Sequence, residues 1–262
     1  MKALVTGAGG FSGRRLVAQL GAEAVAVTRA DCDLSDAVAV RALLARIRPE
    51  RIYHLAGTFS NVPEEDYCSN VLTSRNLLEA AADVGLGCRL LLVGSAAEYG
   101  PVGPGEGPID ERRPLRPTSV YGLSKVCQTL LMRAGAPGVE IVMARTFNLV
   151  GAGASPALLV GRVGAWLSAG APGRLQLGRL DDVRDYLPVD DGVAAYRHIM
   201  AHGRDREVYN VGSGRPTLVR DLVAELAGPH RDRIDEAPET RGVGSAAGEV
   251  VADITKLGAL GR

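Results

Sequence analysis

The sequence predicts an α/β fold, a doubly wound parallel sheet with a small, discontinuous C-terminal lobe. Three observations carry that expectation. Short apolar runs alternate with amphipathic stretches through the first half, a glycine-rich turn joins the first run to the first stretch, and the rhythm breaks after Arg145.

In chain order, a strand over 2–6 feeds the glycines and a helix over 11–20. A strand over 24–28 precedes a helix that Ser35 or Asp36 caps and Pro49 closes. Strand 51–55 is followed by a helix over about 66–84 with Val71, Leu78 and Ala81 on one face. Strand 89–93 is a continuous apolar run suited to a sheet centre. A helix over about 120–134 offers Leu123, Cys127, Leu130 and Leu131 as its buried stripe, and 140–144 is the fifth strand. Beyond it lie a helix near 158–169, a strand over 175–177, a helix capped by Asp190 and a strand over 207–211. Thr217 and Asp253 cap two further helices. Right-handed crossovers then wind helices onto both faces of the sheet.

Composition excludes several classes. With 46% hydrophobic and 23% charged residues the chain is an ordinary globular one. A formal net charge of zero leaves no electrostatic footprint for nucleic acid or an anionic membrane. Cys32, Cys68, Cys88 and Cys127 form no CxxC pair and no histidine stands at metal-ligand spacing, so the reading is reduced thiols, no metal and a cytoplasmic location. No membrane-length apolar run or signal-peptide core is visible.

Gly7, Gly10 and Gly13 stand in a GxxGxxG spacing between the first strand and the first helix. Glycine there permits a tight turn and lets a pyrophosphate approach the helix N-terminus beside Phe11. The pattern predicts a dinucleotide site; its plain alternative is a structural strand–helix turn. The end of the second strand, where an acid would grip a ribose 2′-hydroxyl, holds Thr28 and Arg29, with Asp31 beyond. An arginine there suits a 2′-phosphate, so NADP(H) is favoured over NAD(H), and Asp33-Leu34 falls within reach of the adenine. The reading gives 1–146 plus about 181–207 to the nucleotide domain, and about 147–180 plus 208–262 to a substrate lobe.

Tyr121 and Lys125 are four apart on one helix face. A neighbouring ammonium, together with an oxidised nicotinamide, lowers a tyrosine pKa and suits the phenol to exchange a proton with a substrate oxygen. Ser95 follows the fourth strand, at the sheet edge where such folds bind ligands, and can hydrogen-bond the same oxygen. Alone, YxxxK is usually a solvated helix face. Here only Lys2, Lys125 and Lys256 among 30 basic residues are lysine, which makes a lysine at this position informative.

Several stretches resemble the extended short-chain dehydrogenases that act on nucleotide-activated sugars. They are Thr6 to Gly13, His54-Leu-Ala-Gly57, Asn70 with Asn76-Leu-Leu-Glu-Ala80, Gly94-Ser-Ala-Ala-Glu-Tyr-Gly100, Tyr121-Gly-Leu-Ser-Lys125, Arg145-Thr-Phe-Asn148, Val183-Arg-Asp-Tyr186, Val189-Asp-Asp191 and Val208-Tyr-Asn-Val-Gly-Ser213. The nearest likeness is to GDP-4-keto-6-deoxymannose reductases. The resemblance implies a Rossmann domain, Ser95, Tyr121 and Lys125 as the catalytic set, and Leu55, Ala56 and Gly57 against the cofactor. It implies that Thr58, Ser95, Ala96, Asn148, Arg184 and Arg241 face a nucleotide-sugar substrate; Arg184 equally suits an ion pair with Asp185. It also implies a homodimer paired through the helices at about 66–84 and 120–134.

Related dehydratases carry acids where this sequence has Ala96 and Ala97, so elimination is not expected. The expected reaction is reduction of an NDP-4-keto-6-deoxyhexose. A C4 epimerase, a reductase of a non-sugar ketone and a redox-sensing binding protein are the alternatives. Relatives commonly extend further than Arg262, so the reading expects a small substrate lobe.

Overall fold

The computed structural model describes residues 2–103, 105–237 and 248–261. The first half runs β1 (Ala3–Thr6), α1 (Phe11–Leu20), β2 (Ala24–Val27), α2 (Ala37–Ile47), β3 (Arg51–His54), α3 (Pro63–Asp66), a π-helical turn (Tyr67–Leu72), α4 (Thr73–Asp83), β4 (Arg89–Ser95), α5 (Val120–Ala134) and β5 (Glu140–Thr146). It continues with β6 (Asn148–Val150), α6 (Leu159–Ser168), β7 (Leu175–Leu177), β8 (Val183–Arg184), β9 (Tyr186–Pro188), α7 (Val189–His202) and β10 (Val208–Val211). The last elements are β11 (Thr217–Leu218), α8 (Val219–Ala227), β12 (Ile234–Glu236), β13 (Glu249–Val250) and α9 (Thr255–Gly258).

Leu90, Leu91 and Leu92 are wholly buried because β4 lies inside the sheet with helices on both faces. The sheet is parallel throughout, in the order β2-β1-β3-β4-β5-β10. One face carries α2, α4 and Met132 of α5 over Leu4, Ile52, Leu90 and Ile141; the other carries α1 and α7 over Val5, Tyr53, Leu91 and Val142. From β1 the chain moves outward to β2, then crosses back to β3 on the opposite side. The loops after β1 and β3 therefore diverge at a topological switch point, where such sheets open a crevice.

A second cluster of Val163, Leu177, Leu180, Val219 and Val223 joins α6, β7 and α8 into a small unit beside the sheet. Four expectations need correction. Strand 208–211, grouped with the lobe, is the sheet's sixth strand, because Val208, Tyr209 and Val211 bury against β5. Leu123 and Leu130 are more than half exposed, and α5 instead buries Gly122, Ser124, Lys125, Gln128, Thr129 and Met132. Asp190 lies in the first turn of α7, behind Pro188 at the cap position. Thr217 lies in β11, and α8 starts after Leu218.

Candidate active site

The glycine turn is built by close backbone approach. Gly7 has φ +67°, and a Cβ there would fall 2.7 Å from the Ala56 nitrogen after β3. A Cβ on Gly13 would fall 2.1 Å from the Gly7 carbonyl oxygen, so α1 can lie against the turn only with glycine at this place. Gly10 caps α1 with no side chain over its N-terminus, and Phe11 packs onto the core beside it. The result is a cleft of about 270 Å³ bordered by Gly7, Arg29, Asp33, Leu34, Ala56 and Gly57. Leu55 lies behind its wall in the core. Asn76 donates to the carbonyls of Leu34 and Ser35 (both 3.0 Å) and so pins the loop between β2 and α2 onto α4. Cys32, Cys68, Ser69 and Thr73 also border the cleft, where the sequence places none of them. A hollow of about 500 Å³ at Ala134 to Glu140 lies at the N-terminal edges of the strands and contains none of the motif residues.

At the acidic position the Asp31 carboxylate accepts from the Thr28 amide (2.8 Å) and hydroxyl (2.6 Å), contacts that hold its pKa below the usual carboxylate value. Arg29 is exposed at the cleft wall. Asp33 is likewise bonded to Ser35.

β4 delivers Ser95 and α5 delivers Tyr121 and Lys125 to one point at the C-terminal edge of the sheet. The Ser95 hydroxyl accepts from the Ala97 amide (3.2 Å) and hydrogen-bonds Tyr121. The Lys125 ammonium lies 5.8 Å from the centre of the Tyr121 ring. Burial pushes Tyr121 up to about 12, the Ser95 hydrogen bond opposes this, and Glu98 and Asp66 reinforce it. This is opposite to the lowering expected from Lys125. Burial pushes Lys125 down to about 8 against the attraction of Glu98 and Asp66. His54, between Thr6 (2.8 Å) and Thr73 (3.3 Å), is driven down to about 3 by burial and by Lys125, so it stands neutral and is no rival as a base near pH 7.

Behind Ser95 sits a wholly buried ion pair. Glu98 accepts from the Ser95 amide (2.9 Å), the Thr129 hydroxyl (2.5 Å) and Arg145 (2.8 Å), and Arg145 stacks over Tyr99 at 4.6 Å. Tyr99 in turn donates to Asn210 (2.7 Å), so two distant sequence stretches meet in one contact. Ala96 packs toward Tyr99, Val102 and Phe147.

The loop after β3 is folded around Asp66. Its carboxylate accepts from the Thr58 hydroxyl, the Ser60 amide and hydroxyl, and the Asn61 amide, at 2.9–3.3 Å. The Thr58 hydroxyl is thus engaged within the loop. Asn61 accepts from the Tyr121 amide (3.3 Å), and Phe59 sets its ring edge-on to Tyr121 at 4.9 Å. Asn70, on the π-helical turn, bridges Thr58 and the Ser124 hydroxyl (3.0 Å). π-Bulges recur at functional sites for this reason: they re-aim a side chain. Hydrophobic periodicity carries no trace of Phe59, Asp66 or Gln128.

On the lobe side, Asn148 donates to the Asp185 carbonyl (2.9 Å). Arg184 pairs with Asp182 (2.8 Å) and donates to the Gly248 carbonyl (2.9 Å); its expected partner Asp185 instead receives the Ser213 and Gly214 amides. Arg241 lies outside the described residues.

The family model of the NAD dependent epimerase/dehydratase family matches residues 3–212. The chain belongs to this family. It is 33% identical to GDP-6-deoxy-D-mannose reductase of Pseudomonas aeruginosa, across 85% of this chain and 78% of that one. It is 32% identical to dTDP-6-deoxy-L-talose 4-dehydrogenase (NAD(P)(+)) of Kitasatospora kifunensis, across 85% and 77%. The structure of RMD from Pseudomonas aeruginosa complexed with NADPH matches with a TM-score of 0.84 at 27% identity, over 98% of this chain and 91% of that one. This epimerase/dehydratase family member is therefore an NAD(P)-dependent enzyme on a Rossmann-like fold, from a group that modifies sugar nucleotides. Among the described residues no helix is long and apolar enough to cross a membrane, and no cluster of three or more metal-ligating side chains occurs.

Proposed function

We propose that the chain is an NADPH-dependent ketoreductase acting on a nucleotide-activated 4-keto-6-deoxyhexose. The observation that carries the proposal is the meeting of Ser95, Tyr121 and Lys125 at the C-terminal edge of the sheet, with Tyr121 held in its protonated form. A protonated phenol is a donor, which is what carbonyl reduction requires. Ala96 and Ala97 supply no acid for dehydration.

The residues fit a dinucleotide: two glycine Cβ positions are blocked by backbone, and the cleft they shape runs from Arg29 to Gly57. Bound NADPH supplies the hydride. Ser95 would orient the substrate carbonyl, Tyr121 would give its proton to the oxygen as the carbonyl π pair moves there, and Lys125 would hold the cofactor's ribose. Arg29 would meet a 2′-phosphate, while the Asp31 carboxylate is turned onto the Thr28 amide and hydroxyl. Asn148 and Arg184 line the way toward the nucleotide diphosphate. Exposed Tyr67 on the π-helical turn that leads into α4, with Leu123 and Leu130 on α5, supports a homodimer through these helices.

Incubation with NADPH and GDP- or dTDP-4-keto-6-deoxyhexose is expected to consume the reduced-cofactor absorbance with at least one of them; no loss with either refutes the proposal. Arg29→Ala should weaken NADPH, and not NADH, by about 10- to 100-fold in a fluorescence titration, as expected for a hydrogen bond to a charged group worth about 1.5–3 kcal/mol. Equal weakening of both cofactors would remove Arg29 from the 2′-phosphate site.

A further inference from the structure

We propose that Gln128 is a positioning residue for Lys125, extending the tyrosine–lysine pair by one more turn of α5. The inference rests on the ketoreductase reading for its consequence, though not for its geometry. Gln128 is wholly buried three residues after Lys125, on the same helix face. The Lys125 ammonium donates to the Val93 carbonyl (3.0 Å) and to Gln128 Oε1 (3.3 Å).

The orientation of the amide follows from its other end. Ser74 donates its one hydroxyl proton to the Asn70 carbonyl (2.7 Å), so its oxygen can only accept. Gln128 Nε2 is the donor it receives, at 2.8 Å. The amide oxygen is thereby turned toward the lysine. An ammonium has three N–H groups. Two are anchored on the sheet side by Val93 and Gln128, which leaves one for the cleft. There Gly57, which borders the cleft, stands next to Nζ: a Cβ would lie 3.5 Å from it, in ordinary contact, and it is Asn70 Oδ1, at 2.6 Å, that leaves room only for glycine.

A purely structural role would not need this residue. Met132, farther along the same buried face, is apolar, and a buried amide is costly unless both ends are partnered. The groups facing Lys125 are Tyr121 on α5, Glu98 after β4, Asp66 on α3 and His54 on β3. Among the described residues none of the carboxylates is within ion-pair distance of Nζ, and neutral oxygens alone anchor the charge. Removing one of them should make the ammonium easier to deprotonate and free it to move. A carboxylate at the same place should do the reverse for its charge.

The chain has only Lys2, Lys125 and Lys256, so selective ¹⁵Nζ-lysine labelling gives three side-chain signals; the one absent from Lys125→Met is the signal to follow. Gln128→Leu is expected to lower the Lys125 titration midpoint by about one pH unit, and Gln128→Glu to raise it by a similar amount. NADPH affinity should fall about tenfold in Gln128→Leu and recover in Gln128→Glu. Ser74→Ala, which releases the far end of the amide, gives a smaller shift in the direction of Gln128→Leu and serves if that variant does not fold. Midpoints that stay within about 0.3 units of the parent in both Gln128→Glu and whichever of the other two folds overturn the proposal. The titration needs no sugar substrate. An inactive parent enzyme with shifted midpoints would refute the ketoreductase reading and leave Gln128 in place, and the converse result would do the opposite.

Discussion

Tyr121→Phe is expected to leave a folded protein that binds NADPH normally and turns over about 10²- to 10⁴-fold more slowly, the usual contribution of a positioned proton donor. The substitution removes one oxygen. The ring that packs against Phe59 at 4.9 Å and faces Lys125 at 5.8 Å is kept, so thermal melting and cofactor fluorescence should stay near the parent values. What is lost is the hydroxyl bonded to Ser95 and the proton it carries. The loss corresponds to about 3–5 kcal/mol of transition-state stabilisation. It should appear in kcat and in kcat/KM alike, because the proton moves only in the chemical step. The pH profile gives a second reading. On the proposed ketoreductase reading Tyr121 and Lys125 both act in their protonated forms, with Tyr121 pushed up to about 12 and Lys125 down to about 8. Reduction should therefore hold on the acid side and decline as pH rises through about 8, where the lysine loses its charge first. A Tyr121→Phe rate within tenfold of the parent would remove Tyr121 as the donor and favour a water or Ser95 route.

The parts of this site that were legible in the sequence are those with a local signature. Gly7, Gly10 and Gly13 announce a tight turn, and at Gly7 and Gly13 no other residue fits beside the Ala56 backbone and the Gly7 carbonyl. The Tyr121–Lys125 spacing declares one helix face. The parts that were not legible are those in which polar residues replace apolar ones inside. α5 was assigned a leucine stripe, yet Leu123 and Leu130 face outward, because the inward face belongs to the site and carries Ser124, Lys125, Gln128 and Thr129. Periodicity counts hydrophobic side chains and so misplaces Leu123 and Leu130, while Leu131 does pack against the core. Strand 208–211 falls outside the lobe for another reason: its partner β5 ends 62 positions before it starts, a pairing that only the fold brings about. The stretches around Tyr99 and Asn210 carry the family resemblance, and the Tyr99–Asn210 hydrogen bond joins them in the frame.

Glu98 is where frame and chemistry meet, and its removal should have the largest effect on stability. Glu98 and Arg145 are about as deeply buried as any pair in the molecule, at 0% and 1% exposure. Glu98→Ala strips the counter-ion from a buried guanidinium and leaves the Ser95 amide and the Thr129 hydroxyl without their acceptor. Breaking such a pair from one side costs about 3–5 kcal/mol, most of it the stranded charge. For a chain of this size each kcal/mol lowers Tm by about 2–4 °C, so a fall of roughly 10 °C or more is expected by calorimetry. The size of the loss does not mean the pair itself stabilises the fold by that amount. Replacing both partners, as in Glu98→Leu with Arg145→Met, removes the charges together and should recover much of the lost Tm. Activity should not recover with it. Glu98 Oε1 holds the Ser95 amide while the Ser95 hydroxyl caps the same turn, and an apolar pair cannot hold that turn in register with Tyr121. If the double variant regained both Tm and turnover, the ion pair would be dispensable to the site and Ser95 would be held by the strand alone.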